Sequence, residues 1–262
     1  MPVKYVGKLS LTMRIREVRA RTILSRTRIP GIDYCINPYT GCGHGCKYCY
    51  ATFMRKFTGH NDPWGAFVDV KVNSVDLLTK ALRRKITGGV MMSSVTDPYQ
   101  PVEKKYMLTR GCLDLLARTE LDVDILSKSG LVTRDIDIFS RMATVDVGLT
   151  ITTDREDIKR LFEPASSTIR DRINALRALR KAGISNYVFI GPVLPMNPGK
   201  LADAIAPFAD RVLLDRMNYK YKVERVYRDN GLMHALEPAY FEEMENALTA
   251  RLSHHGVQAT CV

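Results

Sequence analysis

Short apolar runs rich in Val, Ile and Leu alternate with helical patterns from about residue 34 onwards. Strands of this composition are typical of a parallel sheet, because both of their faces are covered. The predicted strands are residues 34–39, 90–95, 122–127, 145–152, 187–193 and 211–215. Predicted helices lie near residues 47–56, 103–119, 133–142 and 166–182, after Pro198, and at 239–253. Six βα-like units in succession therefore predict a parallel sheet with helical crossovers.

This periodicity does not distinguish an open doubly wound sheet from a closed or partial barrel. The chain divides into a basic, irregular N-terminal extension at residues 1–33, an α/β domain at 34–215 and a C-terminal extension at 216–262. Within the last part, residues 216–235 interleave Arg, Lys and Tyr. The length of 262 residues suits one large domain or one and a half small ones.

The net charge of +11 is concentrated in two windows. Residues 1–30 hold eight Lys/Arg and one Glu, and residues 211–228 hold six Lys/Arg and two acidic residues. Clustered positive charge is typical of a protein with a phosphate-bearing partner, although a solvated basic surface has the same composition. No apolar run reaches the roughly 18–20 residues that span a bilayer, and the N-terminus lacks the apolar stretch of a secretory signal. The sequence therefore predicts a cytoplasmic protein with no membrane partner.

Three of the six cysteines, Cys42, Cys46 and Cys49, lie within eight residues. In a reducing compartment, such a group indicates a metal site rather than a disulfide framework. The spacing C-x3-C-x2-C places three thiolates on one tight loop, where they can hold three corners of an iron–sulfur cubane. The glycines between them let the loop wrap around the cluster. The fourth iron is then open to a substrate, which is the signature of a catalytic metal site.

Two other kinds of metal site have to be weighed against this one. Zinc usually needs four ligands, and a simple electron-carrying cluster needs four cysteines. His44 or Cys35 would have to supply the fourth ligand in these cases. Otherwise Cys35, Cys112 and Cys261 are expected to be small packed side chains.

The cysteine motif and the segments after it resemble a known family. The segment NPYTGCGHGCKYCYA at 37–51 is similar to the radical S-adenosylmethionine (SAM) signature. It is followed by SSVTDPYQPVEKK, LTRGCLDLL, ILSKSGLVTRDIDI, ITTDRED, LFEPASSTIRDRINALRALRKAGI and GPVLPMNPG, in that order. Together they resemble the spore photoproduct lyase-like branch of the radical SAM superfamily, over about residues 20–215.

This resemblance implies a fold, two cofactors and a reaction. The fold is a partial (β/α)6 TIM-type barrel with N- and C-terminal extensions, and the active site lies at the C-terminal ends of the strands. The cofactors are a [4Fe–4S] cluster and SAM. The reaction is reductive cleavage of SAM to a 5′-deoxyadenosyl radical, which requires an electron donor such as a flavodoxin or ferredoxin.

The resemblance also assigns candidate SAM-binding residues to the strand ends. Ser94 and Thr96 share one face of the second predicted strand, in the segment that resembles the contact with the SAM amino group. Lys128 resembles a lysine that pairs with the SAM carboxylate, with a solvent-exposed loop lysine as the alternative. Thr150 and Thr152 suit the ribose hydroxyls or the carboxylate, or serve only as strand formers.

Further candidates come from the cysteine loop and the later strands. Tyr48 and Tyr50 flank the last motif cysteine, where aromatic rings cover the cluster or pack on adenine. Gly191 belongs to the stretch that resembles the lining of the adenine side. Glu163 and Arg172 match family positions, either as a structural ion pair or as ligand contacts.

One position departs from the family pattern. Spore photoproduct lyases carry a cysteine on the second strand that returns a hydrogen atom to the product radical, and Ser94 stands in its place. A serine O–H bond is too strong to make that donation. Tyr48, Tyr50, Tyr99 or Cys35 could replace the cysteine, or the reaction ends without a return step.

The leading interpretation is a radical SAM enzyme that acts on DNA or another nucleic acid. Interleaved basic and aromatic residues suit phosphate contacts with base stacking. The residues concerned are Arg216, Lys220, Lys222, Arg225 and Arg228 for phosphates, and Tyr219, Tyr221 or Tyr227 for bases. The alternatives are the same chemistry on a protein side chain or small molecule, and a non-catalytic iron–sulfur or zinc protein.

Overall fold

The computed structural model of the protein describes residues 13–262. The first twelve residues of the predicted basic extension lie outside the described residues. The strands within the described part are β1 (Arg14–Val18), β2 (Leu24–Arg26), β3 (Tyr34–Ile36), β4 (Tyr39–Thr40), β5 (Phe67–Lys71), β6 (Gly89–Met92), β7 (Asp122–Ser127), β8 (Thr144–Thr150), β9 (Asn186–Ile190), β10 (Arg211–Leu214) and β11 (Gln258–Cys261).

The α-helices over the same residues are α1 (Ser74–Ala81), α2 (Glu103–Tyr106), α3 (Leu108–Leu116), α4 (Ile136–Phe139), α5 (Glu156–Phe162), α6 (Ile169–Lys181), α7 (Pro198–Ile205), α8 (Lys220–Asp229) and α9 (Pro238–His254). Helices of the 3-10 type lie at Tyr50–Phe57, Gly130–Asp135 and Met233–Leu236. In the part of the chain that the structure describes, no helix combines the length and apolarity needed to cross a bilayer.

The main sheet has the strand order β11-β10-β9-β8-β7-β6-β3-β2. From β3 to β11 every neighbouring pair is parallel, and β2 pairs antiparallel with β3. The six predicted strands correspond to β3 and β6 to β10, and they lie side by side in the order of the sequence. The predicted parallel α/β sheet is therefore confirmed.

Alternate residues along each strand pack on opposite faces of this sheet. Val123, Val147 and Val188 belong to the main hydrophobic core together with Leu176 of α6 and Leu201 of α7. Because side chains alternate along a strand, the intervening residues point to the other face. That face lines the interior of the curved sheet, where the candidate site lies.

A second, smaller sheet of order β1-β5-β4 differs from the prediction. The stretch predicted as irregular contains β1 and β2, and the predicted strand 34–39 is divided between the two sheets. Strand β1 runs parallel to β5, and β4 runs antiparallel to it. Four of the five residues of β1 are exposed, so the strand lacks the apolar alternation that would have revealed it.

The predicted helix at 103–119 is two helices with a sharp break. Met107 takes a left-handed conformation with φ 51°. The buried Glu103 carboxylate accepts hydrogen bonds from the Thr109 and Arg110 amides at 3.0 and 3.2 Å. These bonds satisfy free amides at the start of α3, so Glu103 compensates for the broken helix.

Candidate functional site

A cavity of about 250 Å³ opens at the C-terminal ends of β6 to β10, beside the cysteine loop. It contains most of the residues that the sequence predicted for the site. The predicted residues that line it are Cys42, Cys46, Cys49, Tyr48, Tyr50, Ser94, Thr96, Lys128, Thr150 and Gly191. The structure therefore brings the three cysteines and four separate strand ends together around one space.

The cysteine loop is held by contacts on both of its sides. Gln100 accepts a hydrogen bond from the Gly43 amide at 2.9 Å and donates one to the Gly41 carbonyl at 3.2 Å. On the other side, the Lys47 amide donates to the Phe162 carbonyl at 2.8 Å. Gly41 has φ 86°, and a Cβ there would lie 2.5 Å from a backbone oxygen, so glycine is required at this turn.

The three motif thiols are in protonated form when no metal is present. Burial raises the pKa of Cys42 to about 12, and it raises the pKa values of Cys46 and Cys49 as well. A cationic centre would have to displace three protons to bind here, as is usual for thiolate ligands. Among residues 13–262, no group of three His, Cys, Asp or Glu side chains converges as a site for a single metal ion. Thiolates are the ligands of iron–sulfur clusters, and all three motif cysteines line the same cavity.

The end of β6 has a different geometry from the one that the sequence predicted. Ser93 takes a left-handed conformation with φ 70°, which ends the alternation before Ser94. The Thr96 hydroxyl donates to the Gly41 carbonyl at 2.7 Å, so it supports the cysteine loop. Within the described residues, the buried Ser93 hydroxyl has no hydrogen-bond partner. A strained residue with a free polar atom at a cavity is typical of a binding site.

Asp97 fixes the relative positions of two strand ends. Its carboxylate accepts hydrogen bonds from the Ser127 hydroxyl at 2.7 Å and the Lys128 amide at 2.8 Å. Burial opposes ionisation, but the His44 ring 3.3 Å away and these hydrogen bonds hold the pKa of Asp97 well below its usual range. The carboxylate is therefore ionised, and it orients the turn that carries Lys128.

Lys128 places an ammonium group inside the cavity. Its Nζ lies 5.8 Å from the centre of the Tyr48 ring. Burial opposes protonation, but the neighbouring Glu163 and Asp97 carboxylates raise the pKa of Lys128. It forms no salt bridge within residues 13–262, so its charge is available to an anionic ligand.

Glu163 and Arg172 form a fully buried ion pair behind the cavity, with Nη2 and Oε2 2.5 Å apart. The same carboxylate accepts hydrogen bonds from the Tyr48 hydroxyl and, at 3.1 Å, from the Thr152 hydroxyl. Burial acts against the Glu163 charge, but Arg172 and Lys128 lower the pKa of Glu163 to about 2. Of the alternatives weighed for this pair, the structure shows the ion pair, and Thr152 does not line the cavity.

The candidate hydrogen donors lie at different distances from the cavity. Tyr50 lines it, and its hydroxyl bonds to the Ser94 carbonyl. Tyr99 does not line the cavity, because its buried hydroxyl donates to Asp135 at 3.0 Å. Cys35 pairs in register with Met91, a residue of the cavity wall, so its side chain points to the same interior face.

The sequence predicted that Cys261 is a packed side chain, but it is exposed in the structure.

Residues that follow β10 close one side of the cavity. Arg216 and Tyr219 line it, and Lys222 donates to the Cys49 carbonyl and the Thr52 hydroxyl, both at 2.7 Å. Tyr227 is fully buried, so the prediction that it offers a stacking face is wrong. Its neighbours form a small core between α8 and α5, which the sequence pattern of α8 did not reveal.

Trp64, Met91 and Asn218 line the cavity but were not predicted. Trp64 is the one tryptophan of the chain, and it lies in a segment without periodicity before β5. Its Nε1 is buried close to the Cys49 thiol. The presence of the one tryptophan close to the cysteine motif was the feature of the sequence that could have identified it.

Comparison with known proteins adds a family assignment to this geometry. The model of the radical SAM superfamily matches residues 36–206. An uncharacterised protein of Methanocaldococcus jannaschii is 37% identical over 235 residues, which cover 89% of this chain and 86% of that protein. Spore photoproduct lyase of Clostridium acetobutylicum is 25% identical over 199 residues, which cover 72% of this chain and 54% of the lyase.

A solved structure of spore photoproduct lyase complexed with dinucleoside spore photoproduct has a similar fold. Its TM-score is 0.70 at 16% identity, with coverage of 100% of this chain and 87% of that chain. The likeness shows that the sheet described above is the predicted partial barrel. It resolves the choice between an open doubly wound sheet and a barrel.

Proposed function

This chain belongs to the radical SAM superfamily, and from that premise we propose that Cys42, Cys46 and Cys49 bind a [4Fe–4S] cluster. The family implies SAM as the second cofactor. When both are bound, one-electron reduction cleaves SAM and supplies a 5′-deoxyadenosyl radical. The observation that carries this proposal is the cavity itself, because two buried thiols and one half-buried thiol share it with an unpaired ammonium group.

The residues around the cavity would bind and orient SAM. Lys128 would pair with the carboxylate, since its ammonium group faces this space beside the cysteine loop and has no carboxylate partner in the described chain. Ser93, Ser94 and Thr150 would bind polar groups, because their hydroxyls or backbones border the cavity. The buried Thr150 hydroxyl has no hydrogen-bond partner within residues 13–262. Gly191 and the Phe189 ring, which a Cβ on Gly191 would meet at 2.3 Å, form the cavity wall beside β9.

We further propose that the substrate is a nucleic acid, with a target base that leaves its stack to enter the cavity. The similarity to spore photoproduct lyase supports this proposal. The exposed rings of Tyr219 and Tyr221 and the Arg216 guanidinium at the cavity also support it. Ser94 stands in place of the lyase cysteine that returns a hydrogen atom to the product radical. In this chain the product radical would therefore have to be quenched by a different group.

The test is anaerobic reconstitution followed by iron and sulfide analysis and a SAM-cleavage assay. Replacing any one of the three motif cysteines by alanine should abolish both the cluster and 5′-deoxyadenosine formation. The matched controls, alanine in place of Cys35, Cys112 or Cys261, should retain four irons per chain, as expected for a single [4Fe–4S] cluster. Loss of the cluster in the Cys35 variant would refute three-cysteine ligation.

The substrate is tested separately with UV-irradiated and intact DNA. Binding should weaken steeply with salt, by about 0.7–0.9 in the logarithmic slope for each phosphate contact. Cleavage of SAM without salt-dependent DNA binding would keep the radical chemistry and reject the nucleic acid.

A further inference from the structure

A stripe of exposed side chains leads outwards from the mouth of the cavity. It lies on the 3-10 helix Tyr50–Phe57, which begins directly after the last motif cysteine. Residues three apart eclipse one another on such a helix, with about 6 Å between them along the axis. Tyr50, Phe53 and Lys56 therefore form one row, and the first of them lines the cavity.

The aromatic residues of this helix are unusually exposed. Tyr50 and Phe53 of the row each expose 45% of their surface, and Phe57, which lies beside the row at the far end of the helix, exposes 75%. Large apolar side chains grouped at a surface next to a cavity are typical of an interaction site. Their position at the mouth means that a ligand extending from the cavity would meet them.

The charge of the stripe is positive. Arg55 and Lys56 are exposed, and neither forms a salt bridge within the described part of the chain. The far end of the helix is fixed, because Arg16 of β1 donates to the Thr58 carbonyl at 2.7 Å. The cations are thus carried on a rigid element beside the rings.

We propose that this stripe, Phe53, Phe57, Arg55 and Lys56, binds the single-stranded nucleotides next to the base in the cavity. Aromatic faces accept stacked bases of any sequence, and adjacent cations contact the phosphates. The inference rests on the proposed nucleic-acid substrate and extends it to a polymer in single-stranded form. The row of side chains begins in the cavity, where the substrate has to bind. This position favours a nucleic-acid substrate over an acidic electron-transfer protein, which needs no contact inside the cavity.

The experiment measures the Kd of a fluorescent twelve-nucleotide oligo(dT) by anisotropy, with a dinucleotide as the short comparison. Phe53→Ala and Phe57→Ala should each raise the oligonucleotide Kd at least about fivefold, the effect of losing one stacked base. Both variants should leave the Kd of the dinucleotide unchanged, because a dinucleotide does not reach beyond the cavity. Lys56→Gln should reduce the salt slope by about 0.7.

Matched controls lie at the opposite ends of the strands. Phe208 follows α7 and Lys181 ends α6, and both precede the N-terminal ends of strands. Lys181→Gln should bind oligo(dT) as the wild type does, and so should Phe208→Ala, which removes a phenyl ring that packs against the main core. Circular dichroism confirms that each variant is folded.

The possible failures are distinguishable. If the wild type binds no oligonucleotide at low salt, the nucleic-acid substrate itself is rejected. If the wild type binds but the Phe53 and Phe57 variants bind equally well, only the stripe is refuted. If those variants instead lose affinity for an oxidised flavodoxin and keep that for oligo(dT), the surface serves the electron donor.

Discussion

Replacing Lys128 by methionine should weaken SAM binding while leaving the fold intact. Methionine keeps most of the side-chain length and removes the charge. The ammonium group has no carboxylate partner within residues 13–262, so its removal leaves no buried anion unpaired. The substitution also removes the cation–π contact between Nζ and the Tyr48 ring, whose centre lies 5.8 Å away.

The size of the effect follows from the kind of contact. A hydrogen bond to a charged group contributes about 1.5–3 kcal/mol, so the Kd for SAM should rise about 10- to 150-fold. The neighbouring groups that raise the pKa of Lys128 keep it charged at neutral pH, so the effect should persist from pH 6 to 8. Lys128→Arg should restore affinity only in part, because the planar guanidinium does not replace a compact ammonium group.

Isothermal titration calorimetry of the reconstituted protein with SAM measures this Kd directly. Lys47→Met is the matched control, since Lys47 lies on the cysteine loop but is exposed and outside the cavity. A change below threefold for Lys128→Met, or an equal change for Lys47→Met, would refute the carboxylate contact.

Three other changes probe different parts of the structure. Glu163→Gln leaves Arg172 as an unpaired buried charge, so urea titration should show a loss of about 3–5 kcal/mol in the free energy of unfolding; a loss below about 1 kcal/mol would contradict it. Burial and the neighbouring Asp146 raise the pKa of Asp124 to about 6, above its ordinary value. Its contribution to the free energy of unfolding should therefore fall as pH rises through about 4 to 6, and Asp124→Asn should remove that dependence in denaturation curves. On a thymine photoproduct, Ser94→Cys should complete repair that the wild type does not, as followed by chromatography; clean repair by the wild type would place the donor elsewhere.

The main sheet was predictable because its signal is local. Each central strand needs one apolar face against the helices, so β7 appears in the sequence with the bounds it has in the structure. The small sheet gives no such signal, since β1 is mostly exposed and owes its conformation to pairing with β5. Tertiary pairing, and not local preference, decides such strands.

The same distinction applies to the site. The three cysteines were predictable from their spacing, because a loop of eight residues brings them together without help from the rest of the fold. Ser93 was not, because its left-handed conformation is imposed at the end of β6 and ends the expected alternation before Ser94. Trp64 reaches the cavity through the packing of β5, which sequence periodicity does not contain.

The distribution of charge shows that a basic window in the sequence is a better guide to the kind of partner than to the place on the surface where the partner binds. Arg225 and Arg228 of α8 are paired with acidic residues one turn away. Lys222 is directed at the Cys49 carbonyl, so it fastens the C-terminal extension to the cysteine loop instead of facing solvent. In the described chain, the exposed cations without carboxylate partners near the cavity include those of the 3-10 helix, which lies outside both basic windows. A phosphate-bearing ligand at the mouth of the cavity would therefore be attracted by Arg55 and Lys56, which counting basic residues along the sequence does not single out.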